Sequence, residues 1–559
     1  MSSHDENRAP ATDWNSVNWR KTETDVRRLR QRIFRAERLG NARKVRSLQR
    51  LMLRSYANRL VAVRRVTQIN QGKFTPGVDK LTIKTPAARG VLVDSLNVSS
   101  RKPLPARRVY IPKSDGSKRP LGIPVIYDRA LQAVVKNALE PQWEARFEEC
   151  SYGFRPGRRA HDAVELLFTR FAAHKSHHPW VIDADIRKAF DRISHEFILG
   201  KLDRFPAKEL IERWLKAGVV EDGGFFESSE EGTPQGGVIS PLLANIALDG
   251  MEDVIPRKRL VRYADDFVIL CKSRSEAETI LAMTKRWLAK RGLEISEQKT
   301  RIVHITEGFD FLGFNVRQYA TPWNRKMNKN PLFVNPREGN TILVKPSKNA
   351  RKRYRKKLKD AVLRLRGAPP ETIVRTLNPI IRGWTNYYAS QVSSRVFSSM
   401  DYYLWILLWK WARRRHGNKG RTWIANRYWG RHAPWRRDRW VFGGKANDGP
   451  VTYYLLKHAW TPIRRHTLLR GAASPDNPEQ ERYWRQRRRK DTERKPLGIH
   501  RTLGLLQKSL CPHCGQELDN GEKLNVHHKV PKHSGGTDHI LNLQSVHLYC
   551  HQQIHSKRS

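Results

Sequence analysis

Hydrophobic positions recur every three or four residues between Thr22 and Val66, which predicts two amphipathic helices broken at Gly40-Asn41. Val26, Leu29, Ile33 and Ala36 share one face of the first. Val45, Leu48, Met52 and Tyr56 share one face of the second, and arginines fill the remaining faces of both. From about residue 70 to 325 strand-like and helix-like runs alternate, which predicts an α/β unit. Residues 107–112 and 120–125 read as strands joined by a turn at Ser114-Asp115-Gly116. Residues 180–191 (WVIDADIRKAFD) form an apolar strand that runs on towards a helix. Residues 260–270 (LVRYADDFVIL) are two short apolar runs around a pair of acids, hence a hairpin. From Lys345 to about Trp440 the pattern turns helical. Ala350, Tyr354, Leu358 and Val362 recur at four-residue spacing where seven of the ten residues 351–360 are basic. That predicts a helix packed on one side and cationic on the other. Residues 443–501 lose periodicity and gain Gly, Pro and charge, as in a small domain or an extended basic connector. Residues 511–559 form a compact terminal module.

Length and charge narrow the class. The 559 residues suggest about three to five domains at roughly 100–200 residues each. With 39% hydrophobic residues and 17 Trp the chain can build cores, which excludes wholesale disorder. Lys+Arg number 106 against 54 Asp+Glu, a net charge of +52 that calls for a polyanionic partner. No apolar run approaches the ~20 residues of a membrane-spanning helix, and residues 1–10 resemble neither a signal nor a transit peptide. No membrane partner is expected, and a nucleic acid is. Charge alone does not separate an enzyme from a packaging or ribosomal protein. Of five cysteines, Cys150 and Cys271 stand alone while Cys511, Cys514 and Cys550 crowd the last fifty residues. This suits a reducing, cytoplasmic compartment and a local metal site rather than a disulfide framework.

The acids carry the chemistry. Adjacent acids at a hairpin tip are usually turn residues. Here an apolar strand eighty residues earlier delivers Asp183 and Asp185 as well. Joining nucleotides uses two magnesium ions, about 3.5–4 Å apart, held by carboxylates from separate strands. A strand Asp plus a hairpin Asp pair can supply that arrangement.

Tyr263-Ala264-Asp265-Asp266 resembles the YxDD box of reverse transcriptases, and the blocks around it resemble, in order, the reverse transcriptase–maturases encoded by mobile group II introns. Residues 119–124 (RPLGIP) come first, then 151–157 (SYGFRPG), Asp185-Ile186 with Phe190-Asp191, and 232–236 (GTPQG) with Ser240-Pro241. Gly292-Leu293, Lys299-Thr300 and Phe311-Leu312-Gly313 follow. The resemblance implies a right-hand polymerase whose fingers and palm carry an antiparallel sheet. Asp185 and Asp265 would be the principal magnesium ligands, with Asp266 beside them and the Ile186 carbonyl assisting. Phe190 would be the gate against the 2′-OH of ribonucleotides. Gln235 and Gly236 would meet the incoming dNTP, Lys113 and Arg119 its triphosphate, Lys299 the nucleotide, and Gly313 the primer end. Asp183 shares a strand face with Asp185, but family spacing to the aromatic selects Asp185.

Residues 380–388 (IIRGWTNYY) resemble the maturase domain X, which implies a helical thumb and an intron-RNA surface. Arg351, Arg353, Lys356, Arg382, Arg413 and Arg414 are the RNA-binding candidates. Arg382, Trp384 and Tyr387 offer guanidinium and ring planes suited to irregular RNA. Trp384 also reads as helix core together with Tyr388, and Trp405 and Trp409 read as packing.

Eight of the 20 histidines lie between His513 and His555. Cys511-x-x-Cys514 and His547-x-x-Cys550 are two half-sites suited to a closed, structural Zn²⁺. Val526-His527-His528, Gly535-Gly536, Asn542 and Cys550-His551 resemble the HNH endonucleases, a ββα-metal fold. By that resemblance His528 is the general base, Asn542 orients it, and His527 and His551 hold a divalent ion. His555, one helical turn on, could be a third ligand. Histidine at position 527, where the family often has Asp, leaves Mg²⁺, Mn²⁺ or Zn²⁺ open. A zinc-stapled DNA-binding knuckle is the alternative.

The expected organisation is an N-terminal extension and fingers (1–165), a palm (166–325), a thumb and domain X (326–442), a basic DNA-binding region (443–505) and an HNH module (506–559). The expected function joins RNA-directed DNA polymerase, maturase binding of group II intron RNA, and nicking of double-stranded target DNA in a bacterial cytoplasm. Two alternatives stay open: a splicing-only maturase, and a reverse transcriptase recruited to antiviral defence or CRISPR adaptation.

Overall fold

The structure is a computed structural model that describes residues 12–98, 102–112, 116, 118–172, 178–221, 224, 226–227, 230–320, 340–433, 436–445, 452–494, 499–520 and 522–556. It is a mixed α/β chain with antiparallel sheets and a helical second half.

The sheet that matters most has four strands, ordered Leu260–Tyr263, Asp266–Cys271, Trp180–Asp185 and Arg301–His304. All three pairings are antiparallel. Its apolar residues serve two cores because successive side chains point to opposite faces. Ile182, Ala184, Phe267 and Ile269 join one core, built with the helix Ile126–Glu144 and the N-terminal helices. Val181, Val261, Val268 and Leu270 join a second, with Phe311, Phe314 and Val344. Burial on both faces explains why these strands read as near-continuous apolar runs.

The 107–112 and 120–125 expectation corresponds to strands Ala106–Pro112 and Lys118–Ile123, paired antiparallel with Arg107 opposite Ile123. They belong to a second four-stranded sheet. Lys113 lies outside the described residues.

The N-terminal expectation needs two corrections. There are three helices here, Trp19–Arg38, Ala42–Arg54 and Tyr56–Arg64, because Ser55 ends the second and caps the third by accepting from the Asn58 amide. Tyr56 is therefore exposed rather than part of the buried face. Nor are the arginines all on outer faces. Arg64 is fully buried, and Arg30 donates to both carboxylate oxygens of Asp476 at 2.8 and 2.7 Å and to Glu140 at 2.9 Å.

In the second half, helices Lys348–Arg364, Pro370–Tyr388, Ser394–Arg415 and Arg421–Tyr428 pack around Tyr354, Leu358, Leu377, Leu404 and Leu408. The helical stretch stops at Tyr428 rather than near Trp440, and short strands Trp429–Gly430, Val441–Lys445 and Thr452–Tyr454 follow. Residues 443–501 are less of a bare connector than their composition suggests. They include the helix Glu481–Arg494, and Arg487 and His466 both bond Asp162, at 2.6 and 2.8 Å. This segment thus runs back over the helix Ala160–Ala172. The terminal module has strands Leu524–His528 and Leu543–His547, paired antiparallel, and the helix Leu548–Ser556. Among the described residues no helix is long and apolar enough to cross a membrane.

Candidate active sites

The first site forms at one end of the central sheet. Asp185 ends its strand directly opposite Asp266, which begins the neighbouring one. Tyr263 pairs with Asp266, so Ala264 and Asp265 are a two-residue hairpin loop. Ala264 takes φ +58°, the sign such tight loops require and one that a residue with a Cβ adopts at a cost. The amide of Ile186 donates to the Asp265 carbonyl at 3.2 Å, tying the loop to the end of the Asp185 strand. Three carboxylates therefore meet at one sheet end, with Asp183 on the same strand face. Burial raises Asp265, and burial together with Asp265 and Asp185 pushes Asp266 up to about 7. Burial also lifts Asp183 to about 6, although Arg301 donates to it at 3.1 Å. The acids thus raise one another's affinity for protons at this end of the sheet. Lys299 Nζ partly offsets them, donating to Asp185 at 2.7 Å and held above its ordinary value by that bond.

The hairpin is propped from behind by residues that sequence reasoning missed. Arg262 is fully buried one strand position before the box. Its Nη1 reaches the Asn245 Oδ1 at 3.3 Å and the Ala264 carbonyl at 3.4 Å, and its Nη2 lies 3.6 Å from Glu148. Asn245 in turn donates to the Gly153 carbonyl at 2.8 Å. Gly153 must be glycine, since a Cβ there would stand 2.3 Å from the Ala264 nitrogen. The only sequence signal for this support was an arginine in an otherwise apolar strand.

Around the acids, Phe190 is half-buried and meets the Phe154 ring edge-on at 6.0 Å, so it is not a wholly core aromatic. Gln235 donates to Asp191 at 3.2 Å and its carbonyl accepts from the Gly122 amide at 2.9 Å. Gly236 has φ +132°, and a Cβ there would stand 2.6 Å from the Gly122 oxygen. The 232–236 loop is thereby laid against the strand that carries Arg119, an exposed residue. Ile186 is buried and Lys299 is exposed at the rim. Gly313 abuts Tyr388 of the next helical unit, and Tyr387 donates to the Leu312 carbonyl at 2.8 Å.

That last contact corrects a further expectation. Tyr387 stacks on Phe314 at 5.3 Å, so its ring packs internally rather than presenting a free plane, while Trp384 lies flat on Tyr354 at 4.3 Å, in keeping with its helix-core reading. Arg353, Lys356, Arg382, Arg413 and Arg414 are exposed, whereas Arg351 is half-buried.

The terminal module brings together two sets of donors. Cys511, Cys514, His547 and Cys550 place their ligand atoms within 4.8 Å of one another, mostly buried. His547 Nδ1 lies 3.4 Å from the Cys514 sulfur and 3.9 Å from that of Cys550. Burial opposes ionisation of Cys514, yet the Arg20 guanidinium at 3.0 Å and a backbone amide bring its thiol down to about 6. Three sulfurs and one imidazole, converging and partly thiolate, fit a structural zinc ion.

His527, His551 and His555 form the second set, also within 4.8 Å. Burial and the two neighbouring imidazoles push His551 down to about 4, leaving its lone pair available to a metal. His528 stands outside this set. Its Nε2 pairs with Asp538 at 2.7 Å, and Lys532 holds the other Asp538 oxygen at 2.7 Å. The Asn542 side chain bonds the loop that follows His528 rather than His528 itself. Its amide closes the 530–537 loop, accepting from the Val530 amide at 2.8 Å and donating to Thr537 at 2.8 Å. Asp538 was missed because an acid in a polar loop has no distinguishing spacing.

Four regions match known families in chain order. Residues 14–96 match the N-terminal domain of reverse transcriptase, and 111–316 match reverse transcriptase (RNA-dependent DNA polymerase). Residues 351–429 match the group II intron maturase-specific domain, and 511–557 match HNH endonuclease. Protein YkfC of Escherichia coli is 35% identical over 301 residues, 45% of this chain and 79% of that one. Group II intron-encoded protein LtrA of Lactococcus lactis is 31% identical over 298 residues, 40% of this chain. The match spans about half of LtrA, 49% of its length. A telomerase from Candida albicans, solved with a fragment of telomeric RNA, overlaps 58% of this chain and 64% of that one at 12% identity with TM-score 0.32, too slight a likeness to bear on the fold. On these matches the chain belongs to the group II intron-encoded reverse transcriptase/maturases that carry a C-terminal HNH endonuclease domain.

Proposed function

We propose that the chain copies RNA into DNA at the Asp185–Asp265–Asp266 site, binds group II intron RNA through its helical second half, and nicks double-stranded target DNA with its terminal module. The reading rests above all on the pairing of Asp185 with Asp266 across two strands, with Asp265 at the hairpin tip. In right-hand polymerase terms the central sheet is the palm and the Ala106–Ile123 region the fingers; the helices from Lys348 are the thumb. The proposed boundaries are 1–165, 166–325, 326–442, 443–505 and 506–559.

Asp185, Asp265, Asp266 and the Ile186 carbonyl would hold Mg²⁺, which when bound stabilises the attacking and leaving oxygens of nucleotidyl transfer. Phe190, braced by Phe154, limits room at the sugar and so selects dNTPs. Gln235 and Gly236 shape the nucleotide floor against the strand bearing Arg119, whose cation would meet the triphosphate; Lys113, outside the described residues, is assigned the same role from the sequence. Lys299 bonds Asp185 and moderates the acidic cluster. Gly313, backed by Tyr388, admits the primer end closely.

In the terminal module Cys511, Cys514, His547 and Cys550 would hold structural Zn²⁺. His527, His551 and His555 would hold the nuclease's divalent ion, and their imidazoles favour Zn²⁺ or Mn²⁺ over Mg²⁺. His528, aligned by Asp538, takes the proton from the attacking water. Maturase and HNH matches on one chain do not favour a defence role or a splicing-only role.

Primer extension on an RNA template, wild type against Asp265→Ala, tests the polymerase. Incorporation should vanish in the variant; equal, negligible incorporation by both would sink the claim.

A further inference from the structure

A concave, mostly apolar surface lies apart in the chain from the acids of the first site and from the two Cys/His sets. It is a cavity of about 390 Å³ between the helix Ser394–Arg415 and the strands that follow. Leu404, Leu408 and Leu455 are buried beneath it, and Trp405, Trp440 and Phe442 are among its walls. Small-molecule sites run about 300–1,000 Å³, so the space suits a planar group rather than one methyl or water.

Three observations indicate what enters it. First, the helix presents a ladder of nearly parallel rings. Tyr402 and Trp405 lie 6.2 Å apart at 11°, and Trp405 and Trp409 lie 5.6 Å apart at 16°. Second, two of the lining rings remain largely open to solvent: Tyr402 is 65% exposed and Trp440 53%. Third, exposed cations adjoin the ring residues along the chain, and Lys457 is itself part of the wall. Arg436, Arg437 and Arg439 are exposed just before Trp440, and Lys410 and Arg413 just after Trp409. The rim's two described acids are already engaged. Asp401 accepts from the His458 ring and amide and from Ala459, and Asp438 accepts from Lys457 and the Trp440 amide. Open ring faces beside guanidinium groups suit a stacked base whose phosphates lie at the rim. An aliphatic partner would gain nothing from those cations.

We infer that this cavity receives an unpaired nucleobase of an RNA strand. RNA is preferred over DNA because Asp401–Trp429 of its wall lie inside the span, residues 351–429, that matches the maturase-specific domain. The inference rests on the maturase reading above and extends it from surface cations to a base-capturing pocket. Stacking tolerates any base, so the site fixes where an RNA strand is splayed rather than which sequence it has.

The test uses the full chain and a 20-nucleotide unstructured RNA carrying one 5-iodouridine, with the matching DNA oligonucleotide as a second probe. Photocrosslinks should map to Trp405 or Trp440. Trp440→Ala and Tyr402→Ala, both at exposed rings, should lower crosslink yield and weaken the RNA held at this site by about 5- to 150-fold. Trp440→Phe should retain most of both. Primer extension on an oligo(dT)-primed poly(rA) template should be unchanged in all variants, which separates the pocket from the polymerase. Absence of crosslinks to these rings, equal crosslinking in Trp440→Ala, or preferential capture of the DNA probe would overturn the inference. A wild-type chain that crosslinks here but extends no primer would count against the polymerase reading and leave the pocket standing.

Discussion

The guanidinium of Arg64 lies 3.5 Å from the ring centre of Tyr549 and 4.2 Å from that of Trp19. One residue is in the third helix of the chain and the other in the last. Arg64 Nη2 also donates to Gln552 at 2.5 Å, and Tyr549 donates to Glu23 at 2.7 Å. The terminal module is thus docked on the N-terminal helices through a buried cation held against two aromatic rings, a contact worth about 2 kcal/mol or more when desolvated.

Loss of that contact should free the nuclease. Arg64→Ala is expected to expose the terminal module to limited proteolysis and to reduce target nicking about tenfold or more, with zinc content retained. Arg64→Lys should behave similarly, since an ammonium cannot lie flat against an aromatic ring. Unaltered protease protection in both variants would show that the docking is incidental.

Arg262 should matter more for the polymerase than any surface arginine. Removing a buried charged partner costs about 3–5 kcal/mol and leaves Glu148 uncompensated. Arg262→Met is expected to lower the denaturation midpoint and to abolish primer extension, because the Asp265 loop loses its support. A variant with wild-type extension would refute the positioning role.

Phe190→Val should open the sugar gate. Ribonucleotide incorporation relative to deoxyribonucleotide should rise by about 10- to 200-fold, the range that small steric differences in a pocket produce. Single-nucleotide extension with each substrate gives the ratio directly. An unchanged ratio would return Phe190 to the role of packing residue.

The terminal module should separate chemically from the rest. Zinc removal by a chelator is expected to unfold residues 511–556 and end nicking while primer extension persists. His528→Ala and Asp538→Asn should both suppress nicking with zinc content unchanged. Nicking at the wild-type rate in His528→Ala would falsify the general-base assignment.

Legibility followed periodicity and spacing. The central hairpin, the strand bearing Asp185 and the Cys511/Cys514/His547/Cys550 set were readable because alternation and paired Cys/His spacing are local patterns, whereas the His527/His551 pair came from the resemblance to HNH endonucleases. Arg64 and Arg30 were misread for the opposite reason, since their burial depends on Tyr549 and Asp476, hundreds of residues away. Tyr56 was misplaced because the apolar repeat runs straight through the helix break at Ser55. The hydrogen bonds by which Asn542 closes the loop after His528 were not legible, because a motif names residues without saying which atoms they satisfy. The stop of the helical stretch at Tyr428 was masked by the tryptophans beyond it, which fit either a helix or a strand core.

The return of the basic segment over the core carries a last consequence. Asp162 is fully buried and takes Arg487 and His466 from that segment, while Arg30 and Glu140 share a network with Asp476. Cutting the chain near residue 442 would strand two buried charge networks inside the polymerase core. A shortened descendant of this protein would need compensating substitutions at Asp162 and Arg30 before it could fold. The segment that sequence composition marks as a grip on DNA is also part of the enzyme's own keel.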